Sequence, residues 1–121
     1  MSGNETEVVL DAEQWVREAE DHIRDIRNHV DEAQVSEKLT STDAGIHINI
    51  KTIEGLLFCV HLSTSGIRVV GNLFDDCTQE SDSNEFFETL HALLDKLSPK
   101  YRQSFGKELQ EKLSRFQEEL N

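Results

Sequence analysis

Basic residues are scarce in this chain. Lysine and arginine together number 12 against 24 aspartates and glutamates, a formal net charge of −12. A phosphate-binding surface needs clustered cations, so nucleic acid and anionic membranes are not expected as partners, whereas a basic protein surface is compatible. Long apolar runs are missing too. Nothing approaches the roughly 20 residues of a membrane span, and Met1-Ser-Gly-Asn-Glu-Thr-Glu has neither the basic nor the apolar part of a signal peptide. A cytoplasmic location, extending to the nucleus, is the expectation. There are two cysteines, Cys59 and Cys77, without CxxC spacing. Reduced thiols follow: Cys59 as a small residue in an apolar run, and Cys77 in a polar loop with nothing nearby to activate it. Proline occurs once, and no repeat or low-complexity tract interrupts 121 residues, a length that suits one domain with a real core.

What the chain has is a marked amphipathic stretch at its C-terminal end, from Ser98 to Leu120. Tyr101, Phe105, Leu109, Leu113, Phe116 and Leu120 fall within an arc of roughly 120° when wound at 100° per residue. Lys107, Glu108, Gln110, Glu111, Lys112, Ser114, Arg115, Glu118 and Glu119 fill the other faces. Ser98 suits the N-cap and Pro99 the first helical position, where a missing N–H costs nothing. Glu108–Lys112 and Glu111–Arg115 are i,i+4 pairs in the favourable order, each contributing a few tenths of a kcal/mol. Gly106 weakens the helix by about 1 kcal/mol relative to alanine, and suggests either close approach of another backbone or a bend.

The rest of the chain supplies a body for this helix. Residues 1–10 are acidic and expected to be flexible. Asp11 with Gln14 forms a capping-box pattern, with Leu10 placed to staple onto Trp15. A helix is expected from about Ala12 to Gln34, carrying the narrow stripe Trp15, Ala19, Ile23, Ile26, Val30 and Ala33. After the turn-rich Thr40–Gly45, Ile46-His-Ile-Asn-Ile-Lys51 alternates as a strand, with isoleucines inward and His47, Asn49 and Lys51 outward. Pairing Ile48 with Val60 and Ile50 with Phe58 keeps apolar residues on one face and leaves a three-residue loop, Ile53-Glu54-Gly55. A third strand is read at Ile67–Leu73. After the polar loop Asp75–Ser83, a helix capped by Asp82 or Asn84 would carry Phe86, Phe87, Leu90, Leu93, Leu94 and Leu97. The expected fold class is therefore α+β: an antiparallel β-meander of three to four strands, with an N-terminal helix and two C-terminal helices packed mainly on one face.

Reactive groups do not converge. GxSxG, GxxxxGK and HExxH are absent, so no enzyme activity and no cofactor are expected. His47 and His61 become cross-strand neighbours in the register above. They could open a zinc site, but no third ligand is evident, and ordinary surface residues are the preferred reading. His22 and His29, seven residues apart, read as exposed on one helix face. Ser98-Pro99 fits a proline-directed phosphorylation motif, although the capping role explains it without modification. Ser81 and Ser83 sit in an acid-rich loop of a common kind.

The pattern Leu93-Leu94-Asp95, Leu97-Ser98-Pro99-x-Tyr101-Arg102, Phe105-Gly106 and the Leu109/Leu113 spacing resembles the C-terminal segment of the glycogen synthase kinase-3-beta interaction protein family. The likeness extends back through Val69-Val70-Gly71, Phe74-Asp75, Ile48-Asn49 with Thr52, and Val35-Ser36 with Leu39. A related domain occurs inside the larger clustered-mitochondria proteins, and 121 residues suits the small stand-alone form. The resemblance implies a non-catalytic α+β domain, 11–121, whose helix 99–120 binds glycogen synthase kinase-3, can inhibit it and so affects Wnt/β-catenin signalling. It places the contacts at Phe105, Leu109, Leu113 and Phe116, with Leu113 at the family's critical leucine and Phe116 in place of a leucine. It also implies, in vertebrate members, anchoring of protein kinase A through its type II regulatory subunit by the helix matching 18–39. Ile23, Ile26 and Val30 are kept here. Arg27 stands in place of a leucine and Asn28 in place of a phenylalanine, which narrows the face, so weak or absent anchoring is expected.

Periodicity alone favours packing of the C-terminal stripe on the protein's own core. Length argues otherwise for its end. Twenty-two helical residues reach about 33 Å, whereas short strands cover only some 20 Å. The last turns should overhang, leaving Leu113 and Phe116 to a partner. The competing reading is a structural docking module whose last helix is fully packed.

Overall fold

The computed structural model describes residues 11–77 and 85–120. The acidic segment 1–10 with the Leu10 staple, the caps expected at Asp82 or Asn84, Ser81, Ser83 and the side chain of Leu120 lie outside the described residues. Helix α1 spans Ala12–Ile26. It opens with the expected capping box: the Gln14 N–H donates to Asp11 Oδ1 (2.8 Å) and the Asp11 N–H to Gln14 Oε1 (3.0 Å). Its stripe buries Trp15, Ala19, Ile23 and Ile26, and the Trp15 indole N–H reaches the Asp43 carbonyl at 3.1 Å.

The helix stops at Ile26, not near Gln34. A single 3-10 turn, Arg27–His29, redirects the chain into strand β1, Glu32–Val35. Val30 and Ala33 fit the helical stripe, but Ala33 and Val35 also alternate inward with period 2. The open edge of the next strand decides between the two, because β1 gains a full antiparallel ladder there, Ala33 opposite Ile50 and Val35 opposite Ile48. Strand β1, which brings the sheet to four strands, is thus drawn mostly from residues assigned to the first helix, with Val35 added.

Strands β2 (Ile46–Lys51), β3 (Leu57–Ser63) and β4 (Gly66–Gly71) complete an antiparallel sheet in the order β1-β2-β3-β4. The β2–β3 register is the one the alternation demands, with Ile48 opposite Val60 and Ile50 opposite Phe58. Thr52 and Leu56 close the hairpin around Ile53-Glu54-Gly55: the Thr52 N–H donates to the Leu56 carbonyl at 2.9 Å, and Gly55 takes the left-handed position at φ 89°. Strand β4 ends at Gly71 instead of Leu73. The chain turns back there, and a Cβ at Gly71 would overlap the Asp76 backbone; Leu73 is left exposed.

That returning loop corrects the outer-face reading of Asn49, which is buried. Its amide donates to Asp75 Oδ1 (2.8 Å) and accepts from the Asp75 N–H (2.9 Å), while Ser36 Oγ donates to the same carboxylate. Hydrogen bonds from Ser36 and Asn49 hold the Asp75 carboxyl below its ordinary value.

The second helix, α2, is shorter than expected: Leu90–Leu97, capped by Thr89, whose hydroxyl accepts from the Ala92 N–H at 3.0 Å. Phe86 and Phe87 precede it. Phe87 forms a two-bond bridge with Ile67 at the β4 edge and Phe86 is exposed, so the free backbone of β4 has taken residues the apolar pattern gave to the helix. Helix α3, Pro99–Leu120, follows directly. The core lies between the inner sheet face (Ile46, Ile48, Ile50, Val60, Leu62, Ile67) and the helices, with Leu90, Leu93, Leu94 and Tyr101 completing it.

Candidate partner-binding helix

Helix α3 starts where the sequence places it. The Ser98 hydroxyl accepts from the Tyr101 N–H at 3.1 Å, and Ser98 is fully buried. The first turn drives Tyr101 into the core at 0 % exposure, with its hydroxyl hydrogen-bonded to His91 Nδ1 at 2.8 Å. Burial, aided by the charges of Asp95 and Asp25, pushes the Tyr101 hydroxyl up to about 12. One turn on, the Phe105 ring is half-buried between two imidazoles, its centroid 4.4 Å from His91 and 5.3 Å from His29. His29 is buried, which overturns its reading as an exposed helix residue. Because α1 ends at Ile26, the 3-10 turn tucks His29 beneath α3, where Nδ1 meets Ser104 Oγ (2.8 Å) and Nε2 meets Glu108 Oε2 (3.5 Å). Glu108 also takes its expected partner Lys112 at 3.3 Å. Arg102 donates to the Asp95 carbonyl of α2 at 2.9 Å.

Past Glu108 the support ends. Leu109, Leu113 and Phe116 are 50, 57 and 58 % exposed. Two geometric causes combine. Residues four apart advance about 40° around a helix with 100° per residue, so Tyr101, Phe105, Leu109 and Leu113 spiral away from the face that meets α2. The helix also outruns the body beneath it. Gly106 faces open space: among the described residues nothing lies within 4 Å of where a Cβ would stand, and no backbone approaches there. Of the residues expected to contact a partner, Phe105 is shared with the core, while Leu109, Leu113 and Phe116 form an uncovered apolar strip flanked by charge.

The residues considered for a second protein contact lie differently. Ile23 and Ile26 are at 0 % exposure in the core and Val30 packs against it. His47 and His61 are directly opposed, as the register requires, with ring centroids 4.7 Å apart. Burial lowers both pKa values, aided at His47 by His61 and at His61 by Arg68. His47 Nδ1 is buried without a hydrogen-bond partner among the described residues. Among the described residues no group of three or more His, Cys, Asp or Glu side chains could hold a metal ion, and no helix is long and apolar enough to cross a membrane.

The roles of His29, His91, Ser104 and Glu108 escaped the sequence reading. The spacing Ser104/Glu108 places both on one helix face, but nothing in the sequence pairs that face with a histidine 75 residues earlier.

Fold and site together define an α+β interaction module: a four-stranded sheet with helices on one face, and a last helix rooted in the core at one end and uncovered at the other. Residues 15–116 match the model of the GSKIP domain. The chain is 38 % identical over 101 residues to the GSK3-beta interaction protein of Danio rerio, covering 84 % of this chain and 75 % of that protein. It is 41 % identical over 96 residues to the Gallus gallus protein of that name (79 and 68 % covered), and 34 % identical over 92 residues to Protein GSKIP homolog of Drosophila melanogaster (75 and 77 % covered). The chain belongs to the GSKIP domain family.

Proposed function

We propose that this protein is a non-catalytic adaptor that binds glycogen synthase kinase-3 through the uncovered half of α3, restraining or scaffolding the kinase and so acting on Wnt/β-catenin signalling. The observation that carries this reading is the split of one apolar stripe. Tyr101 is fully buried, whereas Leu109, Leu113 and Phe116 are at least half exposed on a helix already formed. A preformed helix with an apolar strip fits the helix-in-groove mode of recognition and loses little conformational entropy on binding. The relatives named as GSK3-beta interaction proteins support the choice of partner. Anchoring of protein kinase A is not part of the proposal, since Ile23 and Ile26 are committed to the core.

The test is capture of the kinase by wild type, Leu113→Pro and Leu113→Asp. Proline breaks the helix at a cost of about 3 kcal/mol or more; aspartate keeps the helix and removes the apolar contact. Wild type should capture the kinase and both variants should fail. Equal capture by all three, or none by wild type, overturns the reading.

A further inference from the structure

The first turn of α3 is held from outside the helix. A helix leaves its first N–H groups without intrahelical partners. Here the Ser98 N–H donates back to Leu94 of α2 at 2.8 Å, Pro99 has no N–H, and Tyr101 is served by the Ser98 hydroxyl. The remaining donor, the Lys100 N–H, goes to Glu54 Oε2 at 3.1 Å, and the other oxygen, Oε1, accepts the Ser98 hydroxyl proton at 2.6 Å. One carboxylate from the β2–β3 hairpin, 44 residues away in sequence, thus grips both the capping side chain and the helix backbone. Its negative charge also faces the positive end of the helix dipole.

The hairpin that carries Glu54 is itself braced. Thr52 is fully buried, and its hydroxyl accepts from the Leu56 N–H at 2.9 Å inside the turn closed by the Thr52 and Leu56 backbones. The grip therefore ties α3 to the sheet, while Tyr101 and Arg102 tie it to α2. Leverage makes the extra tie matter. Leu113 stands 13 residues beyond Lys100, about 20 Å along the axis. A tilt of about 10° at the first turn would swing it by some 3–4 Å, more than shape complementarity in a groove tolerates.

We infer that Glu54 is a positioning residue for partner binding: its clasp on Ser98 and Lys100 sets the angle at which α3 projects from the sheet. This rests on α3 being the binding element, so the test separates the two claims. Residual dipolar couplings are measured for wild type, Glu54→Gln and Glu54→Ala, alongside calorimetric titration of each with glycogen synthase kinase-3. In wild type, one alignment tensor should fit both sheet and α3. In Glu54→Ala, α3 should need its own orientation or a reduced tensor while the sheet couplings hold. Its kinase affinity should fall about tenfold, the scale of a lost charge-assisted hydrogen bond, with Glu54→Gln between the two. A common tensor in every variant, with affinity within twofold, overturns the inference. Sheet couplings that change along with those of α3 overturn it as well, because Glu54 would then be a general stabiliser. Failure of the wild type to bind the kinase would sink the proposed function, while the couplings still decide whether Glu54 orients the helix.

Discussion

The two halves of α3 have the same chemistry and opposite fates. From Pro99 to Glu108 every turn is held: Ser98 caps it, Tyr101 enters the core, and Phe105 sits between His29 and His91. From Leu109 onward the stripe continues with side chains of equal hydrophobicity, and Leu109, Leu113 and Phe116 are exposed. Amphipathicity therefore does not say what a helix face touches. The drift of an i,i+4 series and the length of the body beneath the helix decide it. One half spends its apolar surface on folding and the other leaves it exposed.

Substitutions in the two halves should separate stability from binding. The largest effect is expected in the root: Tyr101→Ala should destabilise the protein by about 3–5 kcal/mol, through lost burial and a cavity, read from the midpoint of urea unfolding. In the tip, Leu113→Ala should leave unfolding within about 0.5 kcal/mol yet weaken kinase binding by about 2 kcal/mol, some thirtyfold. A stability loss at Leu113 comparable to that at Tyr101 would erase the distinction. Between the halves, Gly106→Ala should stabilise by about 0.5–1 kcal/mol, because the site is helical and a methyl group meets nothing; a rise in the thermal midpoint checks it.

The smallest effect concerns pH at the helix start. Loss of hydration alone would raise the Glu54 carboxyl, but hydrogen bonds from Ser98, Thr52 and the Lys100 backbone outweigh it and hold it at about 2, against an ordinary 4.5. A folded value below the unfolded one adds stability that is present above about 4.5 and lost as pH falls from there towards 2. Glu54 is exposed, so screening keeps the contribution modest. The difference in unfolding free energy between wild type and Glu54→Gln should shrink across that window and stay flat above it.

The sequence revealed much of this design, unevenly. Ile46–Lys51 allowed one reading, because strict alternation against Phe58, Val60 and Leu62 leaves a single register that buries both sets. Ser98 and Pro99 marked the start of α3 through local chemistry. The end of α1 was ambiguous, since Val30 and Ala33 satisfy both periods, and only the open edge of β2 selects the strand. The same holds for Phe87, claimed by the edge of β4. The burial of Asn49 depends on a loop 26 residues later in the chain, and that of His29 on a helix 75 residues later. Local pattern cannot encode such meetings. The exposure of Leu113 and Phe116 follows from helix length, which the sequence carries; the family resemblance supplies the partner that the proposed function assigns to them.

Hydrogen exchange of the protein with and without glycogen synthase kinase-3 tests the central claim most directly. The account predicts that amides from Leu109 to the end of α3 exchange at least tenfold more slowly in the complex, while those of α1 and the sheet keep their free-state rates. Unchanged exchange in that half, with new protection on α1 or the outer sheet face, would contradict it.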